Sequence, residues 1–344
     1  MKIMTIGATG FIGRHVVSQL IHSGHEVAVL HRGKTPLPAH WSVTEFLGDR
    51  ATLPNLGVRA WKPNVVVDMI LSSAKQAQAT VEAFSGVARR IVAISSGDVY
   101  RAMAVLHRLD TGPLQPTPLT EDSPLRLQSQ TYSPEMLAVA RARLPWIDAE
   151  YDKIQVEQAI CGHSEMAATI LRLPMVYGPR DMFHRFYPTL RRMLDGRPAI
   201  LLEQSAAQWM PCRGYVENVA EAIALAATSE KAAGRIYNVA DPDPYTEAQW
   251  TVKIGEVVGW HGEVIALSQV QTPKHLLQPG GNFAQHLFMD STLIRRELGY
   301  SESIPLNESI SRTVEWEKAN PPEPIDPAQY NYAAEDEAAR LVLR

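Results

Sequence analysis

The stretch "GATGFIG" constrains this chain more than any other. It sets Gly7, Gly10 and Gly13 three residues apart. The short β-branched run "KIMTIG" precedes it. "FIGRHVVSQLIHSG" follows, with Phe11, Val16 and Leu20 at helical spacing, and Gly24 closes that helix. A strand, a glycine turn and a helix in this order form the opening of a dinucleotide-binding unit. Glycine is needed for the tight turn, for close backbone approach to a pyrophosphate and for helix–strand packing. The pyrophosphate then rests on the helix N-terminus, where unpaired N–H groups and the helix dipole point. Thr9, Phe11 and Ile12 fill the loop between the glycines and belong to the same candidate site. A purely structural turn is the alternative.

The rhythm continues. "EVAVLHR" reads as a strand, "PNVVVDMI" as another, "SAKQAQATVEAF" as a helix and "RRIVAISS" as a strand. Continuous apolar strands alternating with helices imply an α/β fold, a doubly wound parallel sheet covered on both faces. From about 103 to 146 the pattern breaks into a proline-rich stretch that includes "GPLQPTPLTEDSPLRL". A segment of that length reads as an irregular cover over the site or as a surface excursion. The alternation returns after Asp148 with a helix and the strand "ATILRLPMVYG".

Bulk properties exclude several classes. The formal net charge is −4 over 344 residues, which argues against a nucleic-acid or anionic-membrane partner. No run approaches the ~20 apolar residues of a membrane span. The N-terminus lacks the length and cleavage pattern of a signal peptide. Cys161 and Cys212 sit in no CxxC or Cys/His cluster, so no metal site is expected and a reduced, cytoplasmic setting is.

The end of the second strand bears on cofactor choice. "LHRGK" offers Arg32 and Lys34 and no acid, which favours NADP over NAD, with an ordinary basic turn as the alternative. Asp49 in "LGDR" follows the third strand, with Arg50 beside it. Asp49 is suited to contact the adenine amino group or to cap the next turn.

Together "GATGFIG", "GDR", "ISSGDVY", "YDKIQVEQ", "LRLPMVYGPRD", "RGYVENVAEAI" and "YNVAD" resemble the extended short-chain dehydrogenase/reductase family, in its NAD-dependent epimerase/dehydratase branch. The resemblance runs along most of the chain. It implies a Rossmann domain over 1–175, with 103–146 as its irregular cover, completed by about 214–242. A substrate domain is implied over 176–213 and 243–320, then a tail over 321–344. It also implies hydride transfer to or from a hydroxyl or carbonyl of a sugar-like substrate, possibly a nucleotide sugar, in a homodimer. In that chemistry a Tyr exchanges the substrate proton, a Lys four residues later holds the nicotinamide ribose, and a Ser or Thr polarises the reacting oxygen.

The resemblance assigns residues with telling exceptions. Ser96 matches the polarising Ser, and Asp98 is the second half of an acid pair whose first position is Gly97. Lys153 and Glu157 match the family helix, but the Tyr position is Ala149. Tyr151 lies two positions on, about 200° around a regular helix. Three readings stay open. The helix begins near Lys153 and Tyr151 swings inward, another phenol such as Tyr132 or Tyr100 replaces it, or the protein is a non-catalytic NAD(P)-binding sensor or scaffold. Pro174 and Val176 would shape the turn near the nicotinamide. Met175 stands where an Asn usually meets the substrate diphosphate, while Arg213, followed by Tyr215 and Val216, matches an arginine that reaches it. Arg180, His184 and Arg185 fall in the substrate cap, with His184 a candidate acid/base group or a surface histidine. Trp209 and Met210 form either a substrate wall or core.

Overall fold

The computed structural model describes residues 1–129, 132–278 and 280–342. Positions 130–131 of the cover segment and 343–344 of the tail thus lie outside the described residues. In chain order the first half runs β1 (Lys2–Ile6), α1 (Gly13–His22), β2 (Glu26–His31), β3 (Val43–Leu47), β4 (Val65–Asp68), α2 (Ala74–Phe84), β5 (Arg90–Ser96), α3 (Arg101–Leu106), α4 (Pro134–Arg143), α5 (Lys153–Cys161) and β6 (Ala167–Leu173). The second half runs β7 (Met175–Tyr177), α6 (Tyr187–Leu194), β8 (Ala199–Glu203), α7 (Gln204–Gln208), β9 (Arg213–Tyr215), α8 (Val216–Thr228), β10 (Arg235–Asn238), α9 (Glu247–Val258), β11 (Glu263–Leu267), α10 (Thr292–Leu298), α11 (Leu306–Ala319) and α12 (Tyr332–Val342).

Among the described residues, seven parallel strands form the central sheet in the order β10-β6-β5-β4-β1-β2-β3. The order reverses between β1 and β4, the switch point at which such sheets open a crevice beyond their C-terminal strand ends. Alternation along β1 explains why both faces are dry. Ile3 joins the core under α1 and α8, while Met4 and Ile6 join the core under α2 and α5. The strands are buried almost end to end, as the apolar runs required. Edge strand β3 is the exception, with an exposed outer face.

Outside the central sheet lie two short parallel pairs, β7 with β9 and β8 with β11. Helices α6, α9 and α11 pack beside them. The proline-rich C-terminal stretch runs over the surface to α12. There the buried Glu335 receives Arg192 at 2.7 Å and His275 at 2.9 Å, locking the tail onto the cap.

Two local departures from the sequence expectation matter. Phe11 and Ile12 lie before the first helix rather than in it, because α1 starts at Gly13. The 103–146 segment is less irregular than expected, since α4 stands within it with Ser133 capping the Met136 N–H and Pro134 in the first turn. None of the α4 residues is buried. A ten-residue helix has little stability by itself, so α4 depends on what it rests against.

Candidate active site

The glycine loop is held by its own backbone. Gly7 has φ +89° and accepts the Gly10 N–H at 3.2 Å. A Cβ at Gly13 would lie 2.2 Å from the Gly7 carbonyl oxygen, an overlap only backbone movement could relieve. The helix that follows carries no side-chain cap. Cations gather there. Arg14 has its pKa lowered by burial and by the like charge of Arg180, and His15 is lowered mainly by burial, with Glu217 opposing. Arg180 holds φ +76° in the loop after β7. These residues fit a pyrophosphate. Sequence reasoning missed Arg14, although it directly follows the third glycine.

At the adenosine end Arg32 and Lys34 are both exposed around Gly33, which has φ +72°. Glu45 on β3 accepts from His31 at 2.6 Å. Asp49 accepts the Ala51 N–H at 2.9 Å, which is the capping alternative. Arg50 turns inward, binding the buried Asp68 at the end of β4 and donating to Thr80 Oγ1 at 3.0 Å.

The Tyr-Lys segment resolves in favour of the disturbed helix start. Asp152 caps α5 by accepting the Ile154 N–H at 3.0 Å, so the helix begins at Lys153 and Tyr151 sits before it in non-helical backbone. Arg126, from the cover segment, reaches Asp152 at 2.7 Å and also donates to the Asp98 carbonyl oxygen at 2.9 Å. Freed from the helix, Tyr151 swings inward and its phenol donates to Asp98 Oδ2 at 2.6 Å. Tyr132 donates to the same oxygen at 3.3 Å. The two rings lie 5.9 Å apart, with His107 edge-on to Tyr132 at 5.7 Å. Asp98 is 1% exposed and stands one turn beyond β5, where Ser96 Oγ accepts its N–H at 3.2 Å.

Electrostatics sharpen this cluster. Burial pushes the Asp98 carboxyl up, against the pull of Arg126. Burial first, then Asp98, drives both phenols well above the ordinary tyrosine value, so they remain protonated near neutrality. Asp98 Oδ1 has no hydrogen-bond partner among the described residues. Leaving a buried oxygen unpaired costs about 1–3 kcal/mol.

Lys153 lies buried below this pair. Its ammonium donates to the carbonyls of Leu71 at 2.6 Å and Ile94 at 2.9 Å. Burial pulls its pKa down to about 8, against Asp98, Asp68 and Glu157. Glu157 is fixed by Arg172 at 2.8 Å and by the Ser95 hydroxyl at 2.5 Å, which orients α5 against β5.

Other candidates fall elsewhere. Tyr100 is fully buried, donating to Asn238 at 2.6 Å and accepting from Arg172, so it is part of the core. Arg213 is not open to a phosphate. Both oxygens of Glu247 lie 2.7 Å from its Nη2, and its guanidinium stacks on Trp250. Trp209 is core, its indole N–H donating to Gln285 O at 2.9 Å with Phe283 edge-on. His184 is no lone surface histidine. It contacts the buried Glu317 at 2.6 Å and stacks on Trp316. Arg185 pairs with Asp181 at 2.6 Å. Pro174 precedes β7, Met175 is half-buried on that strand, and Val176 is buried behind it.

A doubly wound sheet with a glycine loop at one strand end and a buried acid–phenol–lysine cluster at another defines the Rossmann-fold class that includes the short-chain dehydrogenases. The chain belongs to the NAD dependent epimerase/dehydratase family, whose sequence pattern matches residues 3–240. It is 28% identical over 269 residues to the 3-diazoavenalumate denitrifying reductase of a Streptomyces species, covering 75% of this chain and 82% of that protein. It is 27% identical to the 2'-dehydrokanamycin reductase of Streptomyces kanamyceticus, covering 71% and 63%. The fold is similar to that of the UDP-glucuronic acid 4-epimerase of Bacillus cereus, with a TM-score of 0.64 at 19% identity over 93% of this chain and 99% of that one. No helix among the described residues is long and apolar enough to cross a membrane.

Proposed function

We propose that this protein is an NAD(P)H-dependent reductase acting on a carbonyl of a small, sugar-like substrate that carries no nucleoside diphosphate. The observation that carries the reading is the inward turn of Tyr151 onto the buried Asp98, beside Ser96 and above Lys153. In this reading the pair holds a proton for the substrate oxygen. The phenol stays protonated next to a carboxyl, so a partner oxygen receives a proton from the pair, as reduction requires. Ser96 would polarise the substrate oxygen, and Lys153 would hold the nicotinamide ribose. When bound, the nicotinamide supplies the hydride.

The glycine loop, the uncapped α1 and Arg14 with Arg180 support the pyrophosphate site. Exposed Arg32 and Lys34 support NADPH over NADH. The engagement of Arg213 by Glu247, with Met175 in place of an amide, argues against a diphosphate-bearing substrate. The two reductases named above support the direction of reaction. The substrate would lie between the dinucleotide unit, 1–175 with 214–242, and the cap, 176–213 with 243–320. The working form would be a homodimer in the cytoplasm.

The test is a fluorescence titration with NADPH and NADH, followed by NADPH oxidation against a panel of ketosugars and other small carbonyl compounds. Saturable NADPH binding with turnover of a diphosphate-free carbonyl supports the reading. Binding with no turnover of any carbonyl favours the sensor role that Ala149 leaves open. Absence of binding removes both.

A further inference from the structure

Two phenols end on one oxygen of Asp98 and leave the other bare. Oδ2 accepts from Tyr151 at 2.6 Å and from Tyr132 at 3.3 Å. Oδ1 is enclosed by protein, with no partner among the described residues. A carboxyl that keeps its proton has one acceptor oxygen and one hydroxyl. A charged oxygen left bare inside protein costs more than a neutral one, so the enclosed, unpartnered Oδ1 beside a doubly bonded Oδ2 fits a hydroxyl at Oδ1. A hydroxyl held in a dry site without an acceptor is completed by an incoming oxygen.

We propose that Asp98, through its Oδ1 hydroxyl, is the group that protonates the substrate oxygen, and that Tyr132 and Tyr151 are positioning residues that keep the proton on that atom. This assignment rests on the reductase reading above. In the step, the Oδ1–H bond breaks and an O–H bond forms on the former carbonyl oxygen. The carbonyl carbon gains the two-electron hydride equivalent of a reduced nicotinamide, and Asp98 is left as a carboxylate. That charge is met by the Tyr151 O–H bond and by Arg126, and by Tyr132 once the cover returns. The phenol lost at Ala149 is then replaced in function by a carboxyl and not by another tyrosine.

The cover makes access feasible. Tyr132 comes from the segment that carries α4, which buries none of its residues. Beyond Tyr132 that helix is tied across the site by Arg143, whose guanidinium lies 5.4 Å from the Phe183 ring. In the proposed step a shift of this segment opens Oδ1 and leaves Tyr151 on Oδ2.

The groups bearing on Asp98 are Tyr151 and Asp152 ahead of α5, Lys153 on it, Arg126 and Tyr132 from the cover, and His107 after α3. Infrared difference spectroscopy of the full chain without cofactor reads the proton directly. A protonated-carboxyl C=O band is expected at pH 7 and is expected to be lost in Asp98→Asn. Tyr151→Phe and Tyr132→Phe are each expected to move the band to higher frequency, because each removes a bond to the C=O oxygen. Packing alone would not produce that shift. If Asp98→Asn does not fold, the two phenylalanine variants assign the band. No such band at pH 7, or a band that neither tyrosine variant moves, overturns the assignment. An NADPH titration of the same samples separates the two ideas. Binding without the band defeats only the Asp98 assignment, whereas failure of wild-type protein to bind NADPH defeats the proposed function.

Discussion

The two ends of the crevice are built in opposite ways. The glycine end uses backbone, with a positive-φ Gly7, a Gly13 against its carbonyl and an uncapped helix. All of it comes from one continuous run of seven residues. The proton end uses four side chains from three separate places: Asp98 after β5, Tyr132 and Arg126 from the cover, and Tyr151 ahead of α5. The difference teaches that a backbone-built site tolerates little change, while a side-chain site can be reassembled from new parts once one part is lost. Ala149 removed the usual phenol, and the Asp152 cap, by starting α5 late, released Tyr151 to take a new direction.

The sharpest way to break this comparison is at the proton end. Asp98→Asn is expected to lower kcat for carbonyl reduction by about 10²–10⁴-fold, the range of a lost general acid, while NADPH affinity is retained. Loss of affinity in place of kcat would show that Asp98 serves the cofactor. At the glycine end the effect should be the reverse. Gly13→Ala places a Cβ 2.2 Å from the Gly7 oxygen. NADPH affinity is expected to fall by about a hundredfold, or about 2.8 kcal/mol. Isothermal titration of both variants checks the crossed pattern.

Lys153 links the two ends. Its pKa is depressed to about 8, so the ammonium is present below that pH and neutral above it. Cofactor affinity is therefore expected to fall as pH rises through about 8, and Lys153→Met is expected to remove that dependence along with part of the affinity. A pH series of NADPH titrations reads this. Arg32→Glu is expected to weaken NADPH by about tenfold more than NADH, one charge-assisted contact. Equal effects would remove the phosphate preference. The smallest effect is expected at Arg213. Its pair with Glu247 is structural, so Arg213→Ala should lower the melting temperature and leave any UDP affinity unchanged. A UDP affinity that drops with the arginine would restore a diphosphate site.

The sequence made the glycine end legible because everything it needs is local. Gly7, Gly10, Gly13 and the runs beside them specify strand, turn and helix without distant partners. The parallel sheet was legible for the same reason, through strand-length apolar runs. The direction of Tyr151 was not. It turns on where α5 begins, and that depends on Asp152 being held by Arg126, 26 residues earlier in a segment without periodicity. The Tyr132 contact to Asp98 spans 34 residues, and the pairing of Arg213 with Glu247 spans 34 more distant ones downstream. Contacts at that range leave no periodic trace in a single sequence. The capping choice of Asp at position 152 was the one local signal of a late helix start.

A crystal structure of the protein with NADPH and a carbonyl inhibitor tests the central claim most directly. The inhibitor oxygen is expected within hydrogen-bond reach of Asp98 Oδ1 and Ser96 Oγ, at about 2.6–3.2 Å, with Tyr151 still on Oδ2. An inhibitor oxygen bonded to the Tyr151 phenol, with Asp98 turned away from it, would contradict the account.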